Sequence, residues 1–212
     1  MNQAKQLGMP AGAEKWNEAL GHLTEATTAF DKRAPELFGP KFGVFWYNKG
    51  FCELRLGKFD DAAKSFETCH TKYANKPGAT SNNSFEKKAL LKWGEAAQGI
   101  QQWEVAIDKY KKFLAERGPN DSFPLGAFYI NLSVCNFKAG KIASGVENLQ
   151  IAIKNKQKFP TPPAGIIAGF QAFCEAAIEK KDEASMLDFL KQNRHHVTFQ
   201  PWESQPLSLI HI

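Results

Sequence analysis

Between residues 44 and 56, Val44, Tyr47, Phe51 and Leu54 share one recurrent spacing. This is the i, i+3, i+7 spacing of one helix face rather than the alternation of a strand. No run of alternating β-branched residues bounded by turns suggests a sheet, so the pattern predicts an all-α chain. Pro77, Pro119 and Pro160, and more loosely Pro35 and Pro40, punctuate the apolar stretches. Proline cannot continue a helix, so each reads as a stop. The polar segment 75–84, which contains Pro77-Gly78, reads as an inserted mobile loop.

The pattern also repeats. Phe45-Trp46-Tyr47-Asn48 through Cys52 and Gly57-Lys58 lies in register with Phe128-Tyr129-Ile130-Asn131 through Cys135 and Gly140-Lys141. Each copy is followed by a small residue, Ala62 or Gly145, and four places later by a large apolar one, Phe66 or Leu149. A third copy runs from Leu90 and Gly94 through Trp103, Ala106, Tyr110 and Phe113. A fourth runs Ala168, Ala172, Cys174, then Asp182-Glu183-Ala184. Trp16, Ala19, Leu23 and Ala26 supply a leading half-copy. The small residues at 19, 62, 106, 145 and 184 are separated by 43, 44, 39 and 39 positions. Such self-similarity marks a stacked array.

A small residue in one helix followed by aromatic–x–x–Ala–x–x–x–aromatic resembles the tetratricopeptide repeat. The resemblance spans about residues 13–192. It implies a right-handed α-solenoid of antiparallel helix pairs, each unit touching only its neighbours. Gly50, Gly94, Ser133 and Ala172 would let paired helices approach, with Ala62, Ala106, Gly145 and Ala184 doing so from the facing helix. Phe59, Trp103 and Ile142, with Phe66, Tyr110 and Leu149, would wedge between repeats. The organisation expected is a partial repeat over 1–40, repeats over 41–84, 85–122 and 123–160, a capping repeat over 161–196, and a tail over 197–212. Three departures stand out. Glu53, Ala97, Asn136 and Glu175 occupy the family's aromatic site late in the first helix, and the spacing exceeds the usual ~34 residues. In the last copy Lys181, Asp188 and Lys191 replace apolar residues, as suits a terminal cap.

Composition narrows the function. A net charge of +5 is spread along the chain, with Lys-Lys pairs at 87–88, 111–112 and 180–181. Nucleic-acid binding usually needs a concentrated basic stripe, so nucleic acid is not the expected partner. No stretch reaches the ~20 apolar residues of a membrane span, and residues 1–13 lack the apolar core of a signal peptide. Cys52, Cys135 and Cys174 fall at one repeat position where the second repeat has Ala96. That site wants a small apolar side chain. Equivalent points on stacked helices lie farther apart than the ~7 Å a disulfide tolerates. Free thiols suit the cytoplasm, or the periplasm should a signal peptide have been removed.

The chain has no CxxC, HExxH, Gly-rich phosphate loop or GxSxG motif, and the adjacent His195 and His196 would point to different helix faces. No metal, cofactor or enzymatic activity is expected. In the family the first helix of each repeat lines a concave groove. Carried over, the peptide-binding set is Tyr47, Asn48, Phe51 and Arg55; Lys92; Ile130, Asn131, Val134, Phe137 and Lys138; then Phe170 and Phe173. Tyr47 and Phe51 stand where the chaperone-tail readers of this family begin a basic carboxylate clamp, so a different ligand is implied. The same aromatics could instead be core. The leading expectation is a non-catalytic scaffold that binds a protein segment. The alternative is a subunit that self-associates, as a homodimer or in a larger assembly. A nucleic-acid or envelope-associated adaptor is a third class, and Tyr73-Ala74 with Pro77 is similar to bacterial envelope proteins of this type. The apolar tail, Pro201-Trp202 through Ile212, is a further candidate occupant of the groove.

Overall fold

The computed structural model describes residues 12–32, 42–73, 85–116, 125–155 and 163–193. Pro35, Pro40, Pro77, Pro119 and Pro160, the insert 75–84, His195, His196 and the tail 201–212 lie outside them. Among the described residues every regular element is a helix. The elements are α1 (Ala13–Lys32), α2 (Gly43–Arg55), α3 (Phe59–Tyr73), α4 (Phe85–Gly99), α5 (Trp103–Glu116), α6 (Leu125–Lys138), α7 (Ile142–Lys154), α8 (Pro163–Glu179) and α9 (Glu183–Asn193). The chain divides into two compact units, Met1–Phe123 and Pro124–Ile212.

The tight connections have one design. After α2, Lys58 N–H donates to Glu53 C=O at 2.8 Å and Gly57 N–H to Leu54 C=O at 3.1 Å. After α6, Lys141 N–H reaches Asn136 C=O at 2.8 Å and Gly140 N–H reaches Phe137 C=O at 2.9 Å. This pair of bonds is the Schellman motif, which closes a helix on a residue of positive φ. Gly57 and Gly140 supply φ of 71° and 73°, which explains the recurrent Gly-Lys. The same two bonds follow α4 and α8. There Gln101 and Lys181 must adopt φ of 61° and 57°. Each turn is too short to separate the flanking helices, so they pack side by side as hairpins.

In the first unit α1 packs on α2, α2 on α3, α3 on α4 and α4 on α5, while α2 also meets α4. Phe66, Tyr110, Ala62 and Ala106 are fully buried. A methyl group on Gly50 would come within 2.9 Å of the Phe66 ring, and one on Gly94 within 2.5 Å of Tyr110. The small residues therefore do set the approach of paired helices. A methyl on Gly99 of α4 would lie 2.6 Å from Phe59 of α3, so Phe59 wedges between repeats as its position implied.

In the second unit α6 packs on α7 and α8, α7 on α8, and α8 on α9. Its core joins Ile130, Phe137, Leu149, Ile153, Phe170, Phe173 and Phe189. Here the pairing is inverted: Gly145 of α7 is the small site, and the Phe137 ring of α6 fills it. Ala184 departs from expectation. It is exposed rather than set against α8, because α9 packs through Phe189, whose ring centroid lies 4.6 Å from that of Phe173 and 5.6 Å from that of Phe170. Lys181, Asp188 and Lys191 are exposed, as a polar cap requires.

Candidate protein-interaction face

Trp16 of α1, Tyr47 and Phe51 of α2 and Phe85 of α4 bring aromatic rings together in the first unit. Tyr47, Phe51 and Arg55 follow one another at i, i+4 and i+8 along α2 and so share a face. Tyr47 packs edge-on against the buried Phe66, with ring centroids 5.8 Å apart, and reaches Phe85 of α4 at 5.3 Å. Burial pushes its hydroxyl up to about 12, with further contributions from Glu95 and Cys69. Phe51 stands edge-on to Trp16 of α1 at 5.9 Å. Phe85 is 40% exposed, and Asn48 is exposed on the same stretch of α2.

Cations cap these rings. The Arg55 guanidinium lies 5.7 Å from the Trp16 centroid, and the Lys88 ammonium 5.9 Å from that of Phe85. Lys92 sits 5.9 Å from Phe51 but is also paired with Glu95 at 2.8 Å. Neither Arg55 nor Lys88 forms an ion pair with a described carboxylate. Exposed cation–π contacts contribute only ~0.5–1 kcal/mol, so both charges stay available to a ligand. Arg55 was placed here by the repeat register. Phe85 and Trp16 were not in that set.

Behind this face lies a buried polar network that the sequence did not reveal. Glu53 is 4% exposed. It accepts a hydrogen bond from Ser65 Oγ at 2.6 Å and an ion pair from Lys49 at 3.0 Å. It ties α2 to α3 and compensates the cost of burying the carboxylate. The only hint was a carboxylate where the repeat pattern has an aromatic. The equivalent Ala97 is buried, Asn136 is buried with its Oδ1 unpartnered, and Glu175 is exposed and paired with Lys138.

The second unit treats its part of the expected groove differently. Ile130, Phe137, Phe170 and Phe173 are buried, at 3, 2, 6 and 2% exposure. They belong to the core of that unit and offer no surface, which corrects their placement as groove lining. The cause is that α6 and α8 are apolar nearly all round, so their spacing does not show which side meets the neighbouring helices. Asn131 and Val134 are half-buried and Lys138 is exposed, which leaves them open to contact. All four cysteines are free thiols, and Cys52, Cys69 and Cys135 are buried. Among the described residues no group of three or more His, Cys, Asp or Glu side chains is disposed to hold a metal, and no helix is long and apolar enough to cross a membrane.

Comparison with known proteins follows the same lines. The family model described as tetratricopeptide repeat matches residues 45–76 and 88–117. No curated protein matches the chain. Among solved structures, the chain is similar to a putative kinesin light chain of Podosopora anserina with nearly identical TPR-like repeats. That match has 15% identity and a TM-score of 0.62, covering 88% of this chain and 90% of that one. It is similar to BtubC (BKLC) from P. vanneervenii at 14% identity and a TM-score of 0.63, covering 93% and 81%. MamA (41-end) from Desulfovibrio magneticus RS-1 matches at 15% identity and a TM-score of 0.53, covering 89% and 97%. At these identities the likeness concerns the fold: an all-α, TPR-like solenoid of helix pairs.

Proposed function

Taking the match of residues 45–76 and 88–117 to the tetratricopeptide-repeat model as the premise, we propose that this chain is a non-catalytic scaffold that binds a protein segment on the α2/α4 face of its first unit. The observation that carries the reading is the row Trp16, Phe51, Tyr47 and Phe85, half-buried or exposed, with Arg55 and Lys88 resting on its rings. Rings of this kind give contact area at low entropic cost, and aromatic and Arg side chains are enriched at interface centres. Asn48 and Lys92 would bond the backbone or polar groups of the segment. In the second unit Asn131, Val134 and Lys138 remain as separate contact residues. Buried free thiols suit a reducing compartment, which favours the cytoplasm.

The test is affinity capture from the native cell with the full chain, compared with the double variant Arg55→Glu and Lys88→Glu and with the exposed control Lys111→Glu. The face should lose its partners in the double variant and keep them in the control, with all three proteins melting alike. Identical partner sets in all three would refute the reading.

A further inference from the structure

The cations on the α2/α4 face differ in how far their charge is offset. Lys92, 5.9 Å from the Phe51 centroid, is paired with Glu95 at 2.8 Å. Arg55 on Trp16 and Lys88 on Phe85 have no described carboxylate within ion-pair distance. Arg55 is exposed and Lys88 half-buried. The two stand at opposite ends of the rings. Arg55 lies beyond Tyr47 and Phe51 on α2, ~12 Å along the axis from Tyr47. Lys88 instead caps Phe85, the ring that reaches Tyr47 at 5.3 Å. Between the two cations lie the half-buried Tyr47 and Phe51 and the Lys92–Glu95 pair, which adds no net charge.

We propose that the segment bound here is acidic: it carries two side-chain carboxylates, one for Arg55 and one for Lys88, with an apolar residue midway between them. The inference rests on the α2/α4 reading and specifies its ligand. Charge complementarity selects this occupant. A neutral segment would cover two cations without offsetting either, and a basic one would add like charge, whereas an acidic one compensates both. The rings set the spacing. Short isolated segments seldom hold a helix in water, so the ligand lies extended. Its side chains then alternate, and positions i, i+2 and i+4 share one face over ~13 Å. That length matches the ~12 Å between the cations along α2. The pattern recognised is therefore acid–x–apolar–x–acid, with the central side chain on Tyr47 and Phe51. Both carboxylates belong to side chains, so the terminus of the ligand plays no part.

The test titrates the isotope-labelled full chain with short peptides, blocked at both ends, and follows its amide and indole N–H signals by NMR. The first peptide is Ser-Gly-Glu-Ser-Leu-Ser-Glu-Gly-Ser. The second has glutamine for both glutamates, and the third keeps both glutamates but sets them side by side. The first should shift the signals of Trp16, Arg55, Phe85 and Lys88 together. An exposed ion pair is worth about two- to five-fold in affinity, so the first should bind about four- to twenty-five-fold more tightly than the second. Raising the salt should shrink that advantage. The third should keep the gain of one pair only. Arg55→Gln and Lys88→Gln should each cost the first peptide about two- to five-fold and leave the second unchanged. Equal affinity for the first and second peptides at these signals would overturn the acidic ligand and leave the α2/α4 reading intact. Equal affinity for the first and third would overturn the two-cation spacing, and with it the proposal. So would the absence of shifts with any peptide, the capture experiment then deciding the α2/α4 reading by itself. Comparing peptides leaves the protein unchanged, so the test stands even if a variant fails to fold.

Discussion

Replacing Gln101 by glycine should stabilise this protein, although it removes a side chain and adds no contact. Gln101 closes α4 with φ of 61°, where Gly57 and Gly140 close α2 and α6 with φ of 71° and 73°. All three turns use the same two backbone hydrogen bonds, so the motif is constant and only the residue differs. A side chain in the left-handed region costs ~1–2 kcal/mol. Glycine gives back ~0.5–1 kcal/mol through its greater freedom in the unfolded chain. The Gln101 side chain is exposed, so little packing is lost, and the net gain should be ~0.5–1 kcal/mol. For a chain of this length that corresponds to roughly 1–4 °C in melting temperature. Thermal and urea denaturation followed by circular dichroism would measure it. Gly57→Ala is the mirror experiment and should lose about 1 kcal/mol. Lys181→Gly should behave like Gln101→Gly, because its φ is 57° in the same motif, and the two gains should add, since the sites lie in different units. If Gln101→Gly were neutral or destabilising while Gly57→Ala was costly, the account of the turn as a strain reservoir would be wrong.

Two further outcomes are expected. Gly94→Ala should cost ~1–3 kcal/mol by overpacking, because the added methyl would sit 2.5 Å from the Tyr110 ring; an unchanged urea midpoint would show that α4 and α5 can separate freely. Stability should also fall at alkaline pH. Burial holds the thiol of Cys135 and the hydroxyl of Tyr47 at about 12, above their ordinary values of 9.0 and 10.0. The folded state therefore keeps protons that the unfolded chain releases. The stabilisation is complete below pH 9 and is lost as pH rises through 12. A urea midpoint constant between pH 8 and 11 would count against this, and Tyr47→Phe should flatten the upper part of the fall.

The repeat, the all-helical class and, for the α2/α3 and α4/α5 pairs, the residues that set the helix approach were legible in the chain because they are local and periodic. Gly50, Gly94 and Ala106 had only to be small, and Gly57 and Gly140 only to follow the last turn of a helix. The direction in which each helix faces was not equally legible. On α2 the resemblance to the repeat family supplied Tyr47, Asn48, Phe51 and Arg55, and the helical period places Tyr47, Phe51 and Arg55 along one side of the helix. On α6 and α8 almost every position is apolar, and periodicity then carries no direction. Only the packing of α7 and α9 decided that Ile130, Phe137, Phe170 and Phe173 turn inward, that Ala184 turns out, and that Ile167 and Ile178 are left bare. Tertiary structure also decided the fate of Glu53, since a carboxylate can be buried only where Lys49 and Ser65 converge on it from two helices. Sequence order places residues along a helix, but contact across helices depends on how each helix is rotated. That rotation is set by the volumes filled at the interface, as when the Phe137 ring occupies the space above Gly145.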